Sequence, residues 1–438
     1  MIFSAEQTTR LLGAIEADAL VFLCGAGLSK PEPSYLLSAV EVARICYDKW
    51  KPLEDLDPSL RENLDKLAGH FHAKGDFEKR FIPIVPWNEL VGPPNRGHAA
   101  IADFLISRAT HAVLSANCDS MIEQWAEAHK VALRGALTGH EAENNTDSNP
   151  LVKFHGCMRR EREHTLWTRG QLGDAHIHDR VTSCSNWMNL RLPGKDLLVL
   201  GFWTDWGYLN EVLANAFTID SARSVTVVDV VASDELKTRA PVLWEKLNAL
   251  SDRFEHVRAS GSEALEELRL GYSRVWAQRF YALSQPLANS AGVTFDPVSP
   301  FTPLGGEDLY NLRRDVEGLS YARAATQRVP APSAAQAAYA YVALLSSGAT
   351  FQGSWLQFRG HLIRIVNGAG RGLEDVKGTF VEPPTLSQPD FIVCAGAAEL
   401  SVPPRIIAIG HGASTIRPGA GGTGKWITLD TLVNEVLV

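Results

Sequence analysis

A strand-length apolar run, Ala19-Leu20-Val21-Phe22-Leu23-Cys24, stops at Gly25-Ala26-Gly27-Leu28-Ser29, and no other stretch constrains the chain as much. Unbroken apolarity ending in a glycine turn ahead of a helical pattern predicts the first buried strand of a parallel sheet, delivering a tight turn to a helix. Gly25 and Gly27 would let backbone N–H groups approach an anion closely, with the Ser29 hydroxyl as a further donor. Glycine turns also cap plain strands, so the turn alone leaves both readings open. A dehydrogenase fingerprint is disfavoured, because Lys30 stands where a third glycine belongs and Pro31, Glu32 and Pro33 follow.

The rest of the first 284 residues repeats the theme. A short helix is expected over residues 5–18, and a helical insertion over about 34–95 forming one wall of a cleft. Further strands are expected at 111–116, ending at Asn117-Cys118-Asp119, and at 151–154, ending at His155-Gly156. Three more follow: 196–200 ending at Gly201, 224–228 ending at Asp229, and 254–257 ending at Ser260-Gly261-Ser262. Ser120 with Glu123 three residues on has capping-box spacing, so a helix starts there. The expected class is α/β, a Rossmann-like doubly wound parallel sheet. In such sheets ligands sit outside the carboxyl ends of the strands, where Gly25, Asn117, Asp119, His155, Gly201, Asp229 and Ser260 all fall.

Composition bounds the function. The 438 residues imply two or three domains, and a 45% hydrophobic content supports a sizeable core. A net charge of −8 argues against a general nucleic-acid surface. The scattered cysteines contain no C-x-x-C pair, which suits reduced thiols and disfavours a thiolate zinc site. Neither a signal-peptide pattern nor a membrane-length apolar run is present, and a cytoplasmic location is the default expectation.

Residues 285–306, rich in Ser, Pro and Gly, read as a linker to a smaller α+β domain over 307–438. There, helices are expected at 308–326 and 334–345 and β-leaning pieces at 351–358, 362–366, 391–393 and 405–409. Its only lysines after residue 290 are Lys377 and Lys425, so no phosphate-tracking surface is indicated.

Taken together, the motifs resemble the sirtuin superfamily over about residues 15–280. Gly25-Ala26-Gly27-Leu28-Ser29 is similar to its Gly-Ala-Gly-x-Ser turn, Asn117-x-Asp119 to its Asn-x-Asp element, His155-Gly156 to its His-Gly, and Gly201 to Leu209 to its later phosphate turn. The resemblance implies a domain that binds NAD and breaks the bond between nicotinamide and ribose. It implies Asn117 at the ribose or an attacking water, Asp119 at the nicotinamide end, and His155 as a base. Gly25, Ala26, Gly27 and Ser29 with Gly201 and Thr204 would hold the pyrophosphate, Asp229 the adenosine ribose, and Ser260 would lie on the same rim.

The departures bear on substrate. Where deacylases of this superfamily carry four zinc-binding cysteines, Met158 to Asn186 holds only Cys184, so no zinc is expected. Pro31-Glu32-Pro33-Ser34-Tyr35 replaces the usual Asp-Phe-Arg element, and Ala116 stands where a glutamine is usual. NAD-binding features without peptide-binding ones resemble the NAD-hydrolysing branch that serves as antiphage defence effectors in bacteria. That implies a regulated NAD glycohydrolase, assembled as a homo-oligomer, with residues 307–438 sensing a trigger or partner. The alternatives are an NAD-dependent protein deacylase or ADP-ribosyl transferase, and a non-enzymatic NAD or ADP-ribose sensor.

Plainer readings stand beside these. His155 can be a satisfied core histidine, Asn117 and Asp119 can be turn and cap residues, and Asp229 can simply end a strand. His176-x-His178 reads as solvated surface rather than a metal site. Gly419 to Lys425 has Walker spacing, but Trp426 replaces the Ser/Thr that would meet Mg²⁺, so it reads as a glycine-rich loop.

Overall fold

The computed structural model describes residues 1–145, 148–203, 223–317, 328–380, 388–398 and 424–437. The chain forms two compact units, one of Met1–Glu127 with Val131–Leu268 and one of Ala128–Lys130 with Arg269–Val438.

The first unit is built on a six-stranded sheet of order β3-β2-β1-β4-β5-β6. Its strands are β1 (Leu20–Cys24), β2 (Ala112–Ser115), β3 (Leu151–Val152), β4 (Asp196–Leu200), β5 (Ser224–Asp229) and β6 (Phe254–Arg258). Every pairing is parallel; Val21 lies opposite both Ala112 and Leu197. β1 is buried along its whole length, as its lack of polar alternation requires. Val21 and Leu23 join one core with Leu114, Val199 and Val227 and with Trp187, Met188, Leu243 and Leu247 from helices. On the opposite side Phe22 meets Phe104 of the helix Arg96–Ile106 edge-on at 5.3 Å. Helices thus cover both sides, and the strand order reverses at β1, where such sheets open a crevice at their carboxyl ends. The doubly wound α/β architecture expected from the sequence is the one observed.

Between β1 and β2 the chain makes the helices Ala39–Trp50 and Leu64–Ala73, which carry a core of their own containing Val42, Cys46, Leu67, Phe71, Phe81 and Trp87. Met158 and Trp167, from the segment after His155-Gly156, complete that core. Trp167 meets Phe81 at 6.0 Å and Trp87 at 5.7 Å. In this segment apolar packing against the helical insertion organises the chain. Among the described residues no group of three or more His, Cys, Asp or Glu side chains is arranged to hold a metal. No described helix is long and apolar enough to cross a membrane.

The second unit holds a five-stranded sheet, order β11-β10-β9-β8-β7. β7 (Thr350–Gln352), β8 (Trp355–Phe358) and β9 (His361–Asn367) form an antiparallel meander, and β10 (Phe391–Ala395) and β11 (Lys425–Thr428) add in parallel beyond β9. The piece expected as one strand over 351–358 is a hairpin, because Gly353 takes φ +60° and turns the chain. Lys425 and Trp426, read as the end of a loop, lie in β11. The helices Gly306–Glu317 and Ala335–Ser346 match expectation as far as residue 317. The expected strand at 405–409, residues 318–326 of the first helix, and positions 419–423 lie outside the described residues. Arg364 of β9 is fully buried and grips the Asp315 carboxylate through two hydrogen bonds of 2.8 and 2.5 Å.

Candidate active site

Glycine is obligatory where the first turn meets the end of β4. A Cβ on Gly25 would stand 2.6 Å from the Gly201 carbonyl oxygen, and one on Gly27 would stand 2.7 Å from the Gly201 Cα. Gly201 itself takes φ +56°. The N–H groups of Gly25 and Gly27 donate to the Leu200 and Gly201 carbonyls, each at 3.0 Å. These glycines therefore zip β1 to β4, and the turn is exposed at Ala26 and Gly27.

Ser29 is buried, and its hydroxyl is engaged from several sides. It donates to Asp119 Oδ2 at 3.0 Å and lies 3.0 Å from His98 Nε2. A hydroxyl has one proton, and a carboxylate only accepts, so the Ser29 proton belongs to Asp119 and not to an incoming phosphate. Asn117 donates from Nδ2 to the Gly25 carbonyl at 3.1 Å and lies 3.4 Å from Ser29 Oγ. Because that carbonyl only accepts, the amide orientation is fixed and Oδ1 is the atom turned away from it. Asp119 Oδ1 accepts the Met121 N–H at 3.2 Å, which starts the helix Met121–Ala128. The cap role and the site role coincide on one carboxylate.

Beneath Asp119 lies a buried cation. Lys153 Nζ donates to the Asp119 carbonyl, pairs with Glu123 Oε1 at 3.0 Å and lies 3.6 Å from Cys157 Sγ. Glu123, expected to close a capping box, is thus engaged as the partner of Lys153. Burial opposes the Lys153 charge, but Glu123, Cys157 and Asp119 together hold the ammonium above its ordinary range.

His155 follows β3, and its imidazole hydrogen-bonds the backbone of Ala116, the residue before Asn117. The ring lies against Phe154 with centroids 4.7 Å apart. Desolvation, reinforced by the nearby Arg180 guanidinium and only partly offset by Ala116, lowers its pKa to about 3. The resemblance implied a base at this position. Burial and Arg180 thus hold the half-buried ring neutral below the ordinary histidine range.

The structure thus joins Gly25, Ser29, Asn117 and Asp119 by direct hydrogen bonds, with His155 tied to the adjoining residue. Gly201 abuts Gly25 and Gly27, and its N–H reaches the Val228 carbonyl at 3.4 Å, next to Asp229. Asp229 Oδ1 accepts the Val231 N–H, and its carbonyl accepts from Ala259 beside Ser260. Ser260 precedes the helix Gly261–Ala282, accepting the Ala264 N–H at 3.0 Å. Thr204 lies outside the described residues. His176 contacts Glu161 Oε2 at 3.2 Å.

Two residues of the network escaped the sequence reading. Asn95 caps the helix Arg96–Ile106, accepting from Gly97 and His98 N–H groups, and donates from Nδ2 to the Leu28 carbonyl at 2.9 Å. His98 is 1% exposed and closes the cap by accepting the Asn95 N–H on Nδ1 at 3.1 Å. The signal was an Asn-x-x-His pair at cap spacing.

No family model matches the chain, and no curated protein matches it. Among solved structures, it is similar to a Sir2 homolog–NAD complex at 14% identity, covering 59% of this chain and 91% of that one with a TM-score of 0.36. It is likewise similar to a Sir2 mutant with p53 peptide and NAD at 13% identity, covering 60% and 96% with a TM-score of 0.33. A Sir2–p53 peptide–NAD+ structure gives 14% identity, 60% and 96% coverage, and a TM-score of 0.31. The fold and the site described above stand on their own geometry, a polar cluster at the carboxyl ends of β1, β2 and β3.

Proposed function

We propose that the protein is an NAD glycohydrolase that converts NAD and water into ADP-ribose and nicotinamide. The observation that carries this reading is the Asn117–Ser29–Asp119 cluster with His155 bonded beside it, at the rim where a doubly wound sheet takes a dinucleotide. The C1′–N bond to nicotinamide breaks with its electron pair leaving on the ring nitrogen, and positive charge develops at the sugar. Water then forms the new C1′–O bond and releases a proton. An oxocarbenium-like carbon is a strong electrophile, so the attack asks for a placed water more than for a strong base. Asn117 Oδ1 suits that placement, and a neutral His155 suits an accepting contact to water or a ribose hydroxyl. Gly25, Ala26, Gly27 and Gly201 line the pyrophosphate, Asp229 and Ser260 the adenosine side.

The apolar completion of the helical insertion by Met158 and Trp167, where deacylases carry a zinc module, supports hydrolysis over peptide deacylation. The second unit serves as the sensing element of a defence effector that depletes NAD, acting in the cytoplasm as a homo-oligomer. The test is nicotinamide release from NAD by the purified protein across a range of protein concentrations. Release that steepens with concentration supports both chemistry and assembly. The low proton affinity of His155 favours one other reading, a non-catalytic NAD or ADP-ribose sensor, which predicts calorimetric binding with no product at any concentration.

A further inference from the structure

We propose that Lys153 and Cys157 form a redox-sensitive modification site, where a hydroperoxide drives closure of a covalent nitrogen–sulfur cross-link that withdraws the cation from beneath Asp119. The cross-link stands on the geometry of these residues alone; its effect on turnover rests on the hydrolase reading above and adds a control to it.

A turn brings the pair together. The Gly156 N–H donates to the Lys153 carbonyl at 2.9 Å, and Gly156 takes φ +97°, so the chain reverses and Cys157 returns beside Lys153. An L side chain at that corner would be strained by its φ and would meet Thr165 Cα at 3.2 Å. Both partners are sealed in, Lys153 at 1% and Cys157 at 3% exposure. The lysine stem runs along Gly135, where a Cβ would stand 2.9 Å from Lys153 Cγ, which keeps the head inside. Nζ spends its three protons on fixed acceptors: the Asp119 carbonyl, Glu123 Oε1 at 3.0 Å and Cys157 Sγ at 3.6 Å. A nucleophilic sulfur, a nitrogen and a carboxylate able to take the nitrogen's proton therefore share one buried site.

In the first step a sulfur electron pair of Cys157 forms an S–O bond to hydrogen peroxide, the O–O bond breaks, and the thiol proton leaves with the other oxygen as water. In the second, the Lys153 ammonium gives one proton to the Glu123 carboxylate and the freed nitrogen pair forms an N–S bond. The S–O bond breaks, and the departing hydroxide takes a second nitrogen proton and leaves as water. Sulfur loses two electrons, and the peroxide gains them. The product holds a neutral cross-link and a protonated Glu123 where the reduced site holds a buried ion pair, which removes the cost of keeping two charges out of water. Nζ keeps one proton of its three, and the Asp119 carbonyl loses its cation at the turn that carries Asn117 and Asp119. The half-buried Cys118, whose carbonyl accepts the Met158 N–H at 2.9 Å, is the rival partner for an oxidised Cys157.

The test has two arms. In the first, reduced full-length wild type, Cys157→Ser and Cys118→Ser are exposed to hydrogen peroxide, alkylated under denaturing conditions and mapped by tryptic digestion and mass spectrometry. The expected wild-type product is uncut after Lys153, unalkylated at Cys157 and short of two hydrogens across that segment, and dithiothreitol reverses all three. It persists in Cys118→Ser and is absent from Cys157→Ser. A Cys118–Cys157 disulfide, a Cys157 that halts at an oxygen acid, or ready cleavage after Lys153 overturns the proposal, whatever the activity of the protein. In the second arm the peroxide is removed and NAD hydrolysis is measured before oxidation, after it, and after reduction. Withdrawing a contact that supports the reacting groups is expected to lower wild-type turnover by at least about tenfold, with recovery on reduction. Cys157→Ser is expected to keep through peroxide treatment the turnover it had before. Cross-linked wild type with unchanged turnover overturns the control assigned to the site. If reduced wild type releases no nicotinamide, the hydrolase reading falls while the mapping still decides the cross-link.

Discussion

The side-chain amide of Asn117, just beyond β2, donates to the backbone carbonyl of Gly25 at 3.1 Å, so the first turn of the sheet and the end of its neighbouring strand are held as one unit. The contact explains how a short polar side chain holds one orientation. Replacing Asn117 with Asp swaps the donor for a carboxylate facing the Gly25 carbonyl and sharing Ser29 with Asp119. Asn117→Asp is expected to be at least as inactive as Asn117→Ala, and less stable, by parallel turnover and urea unfolding measurements.

The glycine contact between β1 and β4 predicts a stability effect that does not depend on the reaction. With Gly201 O at 2.6 Å and Phe202 Cα at 2.7 Å from an added Cβ, Gly25→Ala forces two backbones apart. Overpacking of this kind costs about 1–3 kcal/mol, readable as a lower urea midpoint.

The buried Lys153–Glu123 pair makes a sharper prediction. Lys153→Met leaves Glu123 buried without its cation and is expected to destabilise the protein by about 3–5 kcal/mol. The double replacement Lys153→Met/Glu123→Leu removes both charges and should recover most of that loss. Failure of the second change to rescue the first would show that the pair is not what holds this part of the fold.

Stability should also fall on the acid side. His155 and His98 are both held neutral below their ordinary titration range, His155 down to about 3. Between the unfolded histidine pKa of about 6.5 and the lower folded value, the unfolded chain binds protons that the folded chain refuses. Their neutral forms therefore cost nothing above that range, and the folded state loses ground as pH falls through it. His155→Gln should flatten the dependence of unfolding free energy on pH between 6.5 and 4 by up to one proton, measured from urea titrations at each pH.

How much of this could be read from the chain differs by level. β1, β4 and β5 were legible because short apolar or β-branched runs ending at Gly or Asp have few alternatives in an α/β chain. Asn117 and Asp119 were legible as turn residues at a strand end, which is also where a ligand site forms. His98 was not, because in an otherwise apolar helix a lone histidine looks like core. Lys153 was passed over within an expected strand, since nothing in Leu151-Val152-Lys153-Phe154 announces that Glu123 will meet it. The depressed basicity of His155 comes from burial and Arg180, a residue distant in sequence. β11 was missed because four residues following glycines carry little periodicity, and their strand state comes from pairing with β10.

The most direct test of the central claim is single-enzyme turnover of NAD, following nicotinamide and ADP-ribose by chromatography, for wild type and for Asn117→Ala at matched, fully folded concentrations. Wild type is expected to yield equimolar nicotinamide and ADP-ribose, and Asn117→Ala to lose at least about 100-fold in rate with NAD still bound. Product formation at the same rate in both proteins would contradict that claim.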